Sequence, residues 1–238
     1  MILIACGLVR EAKLLSGPGI ACVPGGGDAA WLEAALEASA AEASMILSCG
    51  IAGALDPALK VGDVVAYSPN KPLSFRGGDR GGAVPASGSL VDSPHPNPSP
   101  EEEGLAMAFP GAQPGLIIGQ DHIAASVAEK AALHAQTGAL AVDMETHIAA
   151  RVAARHGLPF AAIRVISDTA HEALPPAALV GMNPDGSMAL GKVLASLART
   201  PAQLPALIRT GRNAEIAFGV LGEVGESLRE LVTSTPKQ

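Results

Sequence analysis

One stretch constrains this chain more than any other: L-A-V-D-M-E-T-H-I-A-A-R-V-A-A-R-H-G-L-P-F-A-A-I-R-V-I-S-D, from Leu140 to Asp168. It reads as a short apolar strand ending in acids (140–144), a helix (145–156) and a second apolar strand (160–167) followed by another acid. Strand, helix, strand is the pattern of a parallel crossover. Gly157 tolerates the left-handed conformation that closes a helix and Pro159 cannot prolong one, which sets the helix end. Glu145 and Asp168 therefore fall just past strand carboxyl ends, where open α/β sheets hold their ligands. Asp143 is expected to be a solvated acid, because its side chain should point to the opposite sheet face from its neighbour's.

The chain has 238 residues, enough for one large α/β domain with a full core over 1–238. With 48% hydrophobic but only 3% aromatic residues, that core must be Ala, Val, Leu and Ile, the usual filling of a helix-covered parallel sheet. A net charge of −7 argues against a nucleic-acid-binding surface, so an anionic ligand would need a few local cations. Cys6, Cys22 and Cys49 are odd in number and sit in apolar settings, which suits buried thiols in a reducing compartment and shows no metal spacing. Met1 to Cys6 lacks a preceding basic region and is followed at once by Arg10, Glu11 and Lys13, so a first strand is expected rather than a signal peptide. A membrane-spanning helix is not expected either. The expected location is the cytoplasm.

Taken in order, the chain opens with a strand, a turn at Gly7 and a short helical stretch or loop carrying Arg10 and Glu11. A second strand (19–23) leads into Pro24-Gly25-Gly26-Gly27-Asp28, a turn that could bring backbone amides close to a ligand, with Asp28 as helix cap. A third strand (44–49) runs into G-I-A-G-A-L-D-P-A-L-K-V-G-D-V-V from Gly50. Its G-x-x-G lacks the full dinucleotide fingerprint and argues against a nicotinamide site. Residues 69–115 turn rich in Gly, Pro and Ser and read as an insertion, disordered rather than a folded lid. Strand (116–118), helix (to about 136) and, after Asp168, a polar loop and helices with an apolar face at Val220, Leu221, Val224, Leu228 and Leu231 complete the reading.

G-I-A-G-A-L-D-P-A-L-K-V-G-D-V-V, then V-D-M-E, then R-V-I-S-D-T-A closely resemble the nucleoside phosphorylase and nucleosidase family, which contains the purine nucleoside phosphorylases and the methylthioadenosine/S-adenosylhomocysteine nucleosidases. The blocks stand in the family's order, and the resemblance covers nearly the whole chain outside residues 69–115. It implies a three-layer α/β/α phosphorylase-like fold with a central mixed sheet flanked by helices, and a homodimer.

The same resemblance implies roles for residues. Glu145, beside Met144, would bind the ribose hydroxyls; Asp168 would hydrogen-bond a purine ring nitrogen and deliver a proton to it. Those types suit the chemistry, since breaking an N-ribosidic bond builds positive charge on the sugar and negative charge on the departing base. Glu11 matches the position that activates water. Arg10 could instead hold phosphate with the Gly50 to Ala52 backbone, making inorganic phosphate a co-substrate. Ile51 departs from the Ser or Thr of many relatives, which weakens the phosphate reading. His122 stands for an aromatic that stacks on the base, main-chain groups near Ile123 would read the adenine edge, and His147 is expected to pack or cap. No metal or other cofactor is implied.

Within the family, the I-A-G-A-L-D-P-A-L block, V-D-M-E-T-H-I-A-A and the Leu- and Ala-rich tail are most similar to the hopanoid-associated phosphorylases. That branch is implied to release adenine from adenosylhopane, a lipid-linked nucleoside, with transient contact at the inner membrane surface. The alternatives are a methylthioadenosine/S-adenosylhomocysteine nucleosidase and, from another class, a non-catalytic purine-binding module.

Overall fold

Alternation along the first strand sets the layers. In β1 (Ile2–Cys6), Ile2, Ile4 and Cys6 enter one apolar cluster while Leu3 and Ala5 enter another, so the strand is covered on both sides. The computed structural model describes residues 1–69, 109, 111–181, 183 and 186–234. Strands β2 (Ile20–Pro24), β3 (Met45–Ala54), β4 (Val64–Tyr67), β5 (Gln113–Pro114), β6 (Ile117–Gly119), β7 (Ala141–Asp143) and β8 (Phe160–Asp168) complete an eight-stranded mixed sheet. Its order is β2-β1-β3-β8-β4-β5, with β7 and then β6 attached at the far end of β3. Strands β2, β1, β3 and β8 are parallel; β4 runs antiparallel to β8.

Helices α1 (Val9–Leu15) and α7 (Leu204–Ser234) cover one face of the sheet, and α2 (Ala29–Ala40) and α4 (Thr146–His156) cover the other. The shorter α3 (Val127–Thr137), α5 (Pro176–Leu179) and α6 (Leu190–Arg199) are the other α-helices among the described residues. The α/β/α layering with a mixed sheet is the one expected. Asp28 caps α2, accepting from the Trp31 amide at 3.0 Å, and Gly157 closes α4 at φ 61°. The apolar face of α7 lies on the sheet as its spacing predicts: Leu221, Val224 and Leu228 are buried, Val220 and Leu231 partly so. Cys6 and Cys49 are buried free thiols and Cys22 is half-buried.

Two expectations need correction. Strand β7 is not a parallel neighbour of β8: both border β3, β8 parallel along most of its length and β7 antiparallel at Gly53 and Ala54. The reason is the length of β3, which continues through Gly50 to Ala54 and so offers an edge for β7 beyond the expected strand end. The second concerns the insertion, most of which (70–108 and 110) lies outside the described residues; its carboxyl-terminal end does not behave as an insertion. Phe109 is buried in the core, and Gln113–Pro114 pair with β4.

Leu221 is fully buried at the centre of the α7 face. Leu221→Ala should destabilise the protein by about 2–5 kcal/mol in urea unfolding. Glu226→Ala, on the exposed face of the same helix, should stay within about 0.5 kcal/mol.

Candidate active site

A charged residue in the middle of an apolar strand has nowhere to go when both faces of that strand are covered. Arg164 is in that position on β8, with no exposed surface, and acids come to it. Its Nε donates to Asp143 Oδ2 at 2.7 Å and its Nη2 to Ser48 Oγ at 2.6 Å and Glu145 Oε2 at 3.3 Å. Asp143 is thus buried, not solvated as expected. It also accepts from the amides of Glu145 (2.8 Å) and Thr146 (2.7 Å) and from the Thr146 hydroxyl, which starts α4 and fixes the turn that carries Glu145. The alternation argument fails there because β7 ends at Asp143 and its carboxylate turns back to serve the helix.

Glu11 joins the group from α1. Its Oε2 accepts from the amides of Gly7 (2.7 Å) and Leu8 (2.8 Å), and its Oε1 accepts from the Ile51 amide (2.7 Å). The approach is close enough to require glycine. A Cβ on Gly50 would stand 2.6 Å from Glu11 Oε1 and 2.7 Å from Arg164 Nη1, and one on Gly7 would stand 2.9 Å from Glu145 Oε1. Sequence reading of G-I-A-G anticipated close backbone approach; the approaching partners are the protein's own acids and Arg164.

Electrostatically the cluster carries more acid than base. The Arg164 guanidinium faces Asp143, Glu145 and Glu11, all buried, and burial disfavours the charged form of a carboxyl. Desolvation raises Glu145 to about 8, with Arg164 opposing and Asp143 and Glu11 reinforcing the rise. Glu11 is raised too, again by burial, against Arg164 and its backbone donors. The same acids hold the Arg164 guanidinium above its ordinary value, against the opposing pull of burial. Glu11 Oε1 keeps an unused lone pair, and Arg164 Nη1 is buried with no hydrogen-bond partner among the described residues.

Asp168, the last residue of β8, is built differently. Lys130 of α3, fully buried, donates to Asp168 Oδ1, to the Thr169 carbonyl at 2.9 Å and to the Glu172 carbonyl at 3.1 Å, which uses all its protons. Ser167 Oγ lies 2.9 Å from Asp168 Oδ2 and 3.1 Å from the Ala52 carbonyl. Its one proton can serve only one of them. A Cβ on Gly53 would be 3.1 Å from Asp168 Oδ1. Glycines 50 and 53 thus stand on one strand, about 10 Å apart, one beneath the Glu11–Arg164 cluster and the other beneath Asp168.

The remaining expected residues divide. Gly50, Ile51 and Glu145 come together with Glu11, and Met144 leads directly into Glu145. Arg10 turns away: it forms a two-pronged pair with Glu215 of α7 (2.5 and 2.7 Å) and lies 4.1 Å over the Phe218 ring, because α7 covers α1 on that side. His122 is largely exposed and bonded to Glu129 at 3.0 Å, and Ile123 beside it is half-buried. His147 pairs with Asp121 at 2.9 Å, the packing role expected. A cleft of about 500 Å³ lies to one side, lined by Gly26 to Ala30 and Asp121; none of Glu11, Glu145 and Asp168 lines it. Sequence reasoning missed Arg164 and Lys130. The first had a signal, a cation inside a strand apolar on both sides; a helix lysine carries none.

Residues 15–199 match the family described as the Phosphorylase superfamily. The 5'-methylthioadenosine/S-adenosylhomocysteine nucleosidase of Staphylococcus aureus strain MRSA252 is 31% identical over 133 residues, 53% of this chain and 58% of that protein. The chain therefore spans little more than half the length of this curated relative. Among solved structures, the Helicobacter pylori 5'-methylthioadenosine/S-adenosylhomocysteine nucleosidase with butyl-thio-DADMe-Immucillin-A superposes with a TM-score of 0.59 at 18% identity, covering 98% of this chain and 97% of that one. Helicobacter pylori futalosine hydrolase gives 0.54 at 18% identity, covering 94% and 97%. Both likenesses are of fold, a mixed sheet between helices.

Arg164→Met should cost about 3–5 kcal/mol in urea unfolding, because it leaves buried acids without their cation. The pH dependence carries a definite sign. Between its ordinary 4.5 and about 8, Glu145 is protonated in the folded chain and ionised in the unfolded one. The stability this gives is complete below about 4.5 and is lost as pH rises through about 8. The urea midpoint of the protein should therefore fall relative to that of Glu145→Gln across this range.

Proposed function

We propose a reaction on the premise that the chain belongs to the phosphorylase superfamily: hydrolysis of the N-glycosidic bond of an adenine nucleoside, releasing free adenine. The observation that carries it is the pairing of two unlike acid centres along β3, one rich in carboxyls under Arg164 and one dedicated to Lys130. Glu145, protonated below about 8, can both donate to and accept from ribose hydroxyls. Asp168 gives a proton to a ring nitrogen of the base as the C1′–N bond breaks, and Lys130 neutralises the carboxylate that remains. Water supplies the oxygen that bonds to C1′, and its proton passes to Glu11.

Two features support water over phosphate as the nucleophile. The Ile51 amide, wanted for a phosphate cradle, is spent on Glu11, and Arg10 is spent on Glu215.

The proposed nucleoside is adenosylhopane, in hopanoid biosynthesis, on the strength of the resemblance of the I-A-G-A-L-D-P-A-L and V-D-M-E-T-H-I-A-A blocks to the hopanoid-associated branch. The protein would act as a cytoplasmic homodimer that meets the inner membrane transiently. A second reading, a methylthioadenosine/S-adenosylhomocysteine nucleosidase, is favoured by the Staphylococcus aureus relative. A non-catalytic purine-binding module would need no buried lysine dedicated to Asp168.

Adenine release from each substrate, with and without phosphate, separates these readings. Turnover without phosphate and no sugar 1-phosphate is the expected result; efficient turnover of methylthioadenosine would favour the second reading. Asp168→Asn should lower kcat by about 10²- to 10⁴-fold with ligand binding retained, and undiminished turnover would remove Asp168 from the mechanism.

A further inference from the structure

Helix α6 is exposed along a face that a water-soluble surface would normally make polar. Its inner side is anchored: Val193 packs by Gly181, and Ser196 takes hydrogen bonds from the buried Gln203. Facing out are Leu190 (61% exposed), Leu194 (65%) and Ala198, spaced four apart so that they form one stripe. Met188 just before the helix is 69% exposed. Gln203 also accepts from the Ala177 amide at 2.8 Å, which ties α5, α6 and the start of α7 together and brings exposed Leu204 and Ile208 into the same region.

Charge identifies what would cover this face. From Gly186 to Ala214 the chain carries Lys192, Arg199, Arg209 and Arg212 and neither Asp nor Glu, in a protein of net charge −7. Arg209 is paired with Glu172 at 3.0 Å; Lys192, Arg199 and Arg212 are exposed and form no ion pair among the described residues. Lys192 and Arg199 lie seven apart, on a second line about 140–160° round the helix from the middle of the leucine stripe. Leucines along one side of a helix and unpaired cations along the other are the composition of a helix that lies in the headgroup region of an anionic bilayer. The segment also adjoins the candidate active site: the Val9 amide donates to the Gly186 carbonyl at 3.1 Å, one residue from the Leu8 amide that holds Glu11.

We propose that α6 and the start of α7 form a docking surface for an anionic lipid bilayer, holding the mouth of the active site at the membrane. The inference deepens the proposed membrane contact by naming the surface that makes it, and stands whether or not the nucleoside carries a lipid.

Co-sedimentation of the full chain with vesicles tests it, using phosphatidylcholine alone against phosphatidylcholine carrying about 30% phosphatidylglycerol. Binding is expected only to the anionic vesicles, and raised salt should release it. Each cation reversed or removed should weaken partitioning about fivefold, so Lys192→Ala with Arg199→Ala should weaken it about 25-fold. Leu190→Ser with Leu194→Ser should abolish it while leaving the circular dichroism melting curve unchanged. Three results would overturn the proposal: no sedimentation with anionic vesicles, equal binding by the serine pair, or a concentration-dependent dimer in analytical ultracentrifugation that the serine pair dissociates, which would give this face to a second copy.

Discussion

Arg164 is the fixed point of the structure. A guanidinium without access to water must be matched by hydrogen bonds and opposite charge, and its partners arrive from distant parts of the chain: Glu11 from α1, Ser48 from β3, Asp143 from the end of β7 and Glu145 from the start of α4. Replacing the whole group by well-packed apolar residues could leave stability little changed, whereas removing one member strands the others. What the cluster secures is therefore arrangement. It fixes the entry to α4 against β8, and Glu11 over Gly50, in one geometry.

The surplus of acid over base has a chemical consequence. Three carboxyls around one cation cannot all ionise cheaply when water is excluded, so protons are retained on Glu145 and Glu11 above their usual range. Asp168 sits in the opposite situation, with a lysine of its own and the Ser167 hydroxyl at its second oxygen. One strand supports both situations. Strand β3 is long enough to run beneath each, and its glycines let carboxyl groups come within contact of the backbone.

Much of this was legible in the chain. Apolar alternation and the spacing of α7 gave the layers, because a two-residue or 3.6-residue period records which sides are covered. Asp28 and Gly157 marked helix ends through local chemistry that needs no tertiary partner. The three motif blocks carried the family, and Glu11 and Glu145 do meet. Less was legible where partners are remote. Arg10 and Glu11 are neighbours in sequence yet part company, one drawn to Glu215 and Phe218 on α7 and the other to backbone amides at the sheet.

The sequence by itself determined the α/β alternation, the helix caps and the acids that stand at or just past strand ends, all consequences of short-range periodicity and covalent geometry. Tertiary structure alone decided that β7 lies antiparallel at the end of β3, that Asp143 is buried, that Lys130 belongs to Asp168, and that Arg164 gathers acids up to 153 residues away in the chain. The physical reason is common to them: each depends on which group is left to neutralise a buried charge, and only the packed chain determines which groups lie within reach.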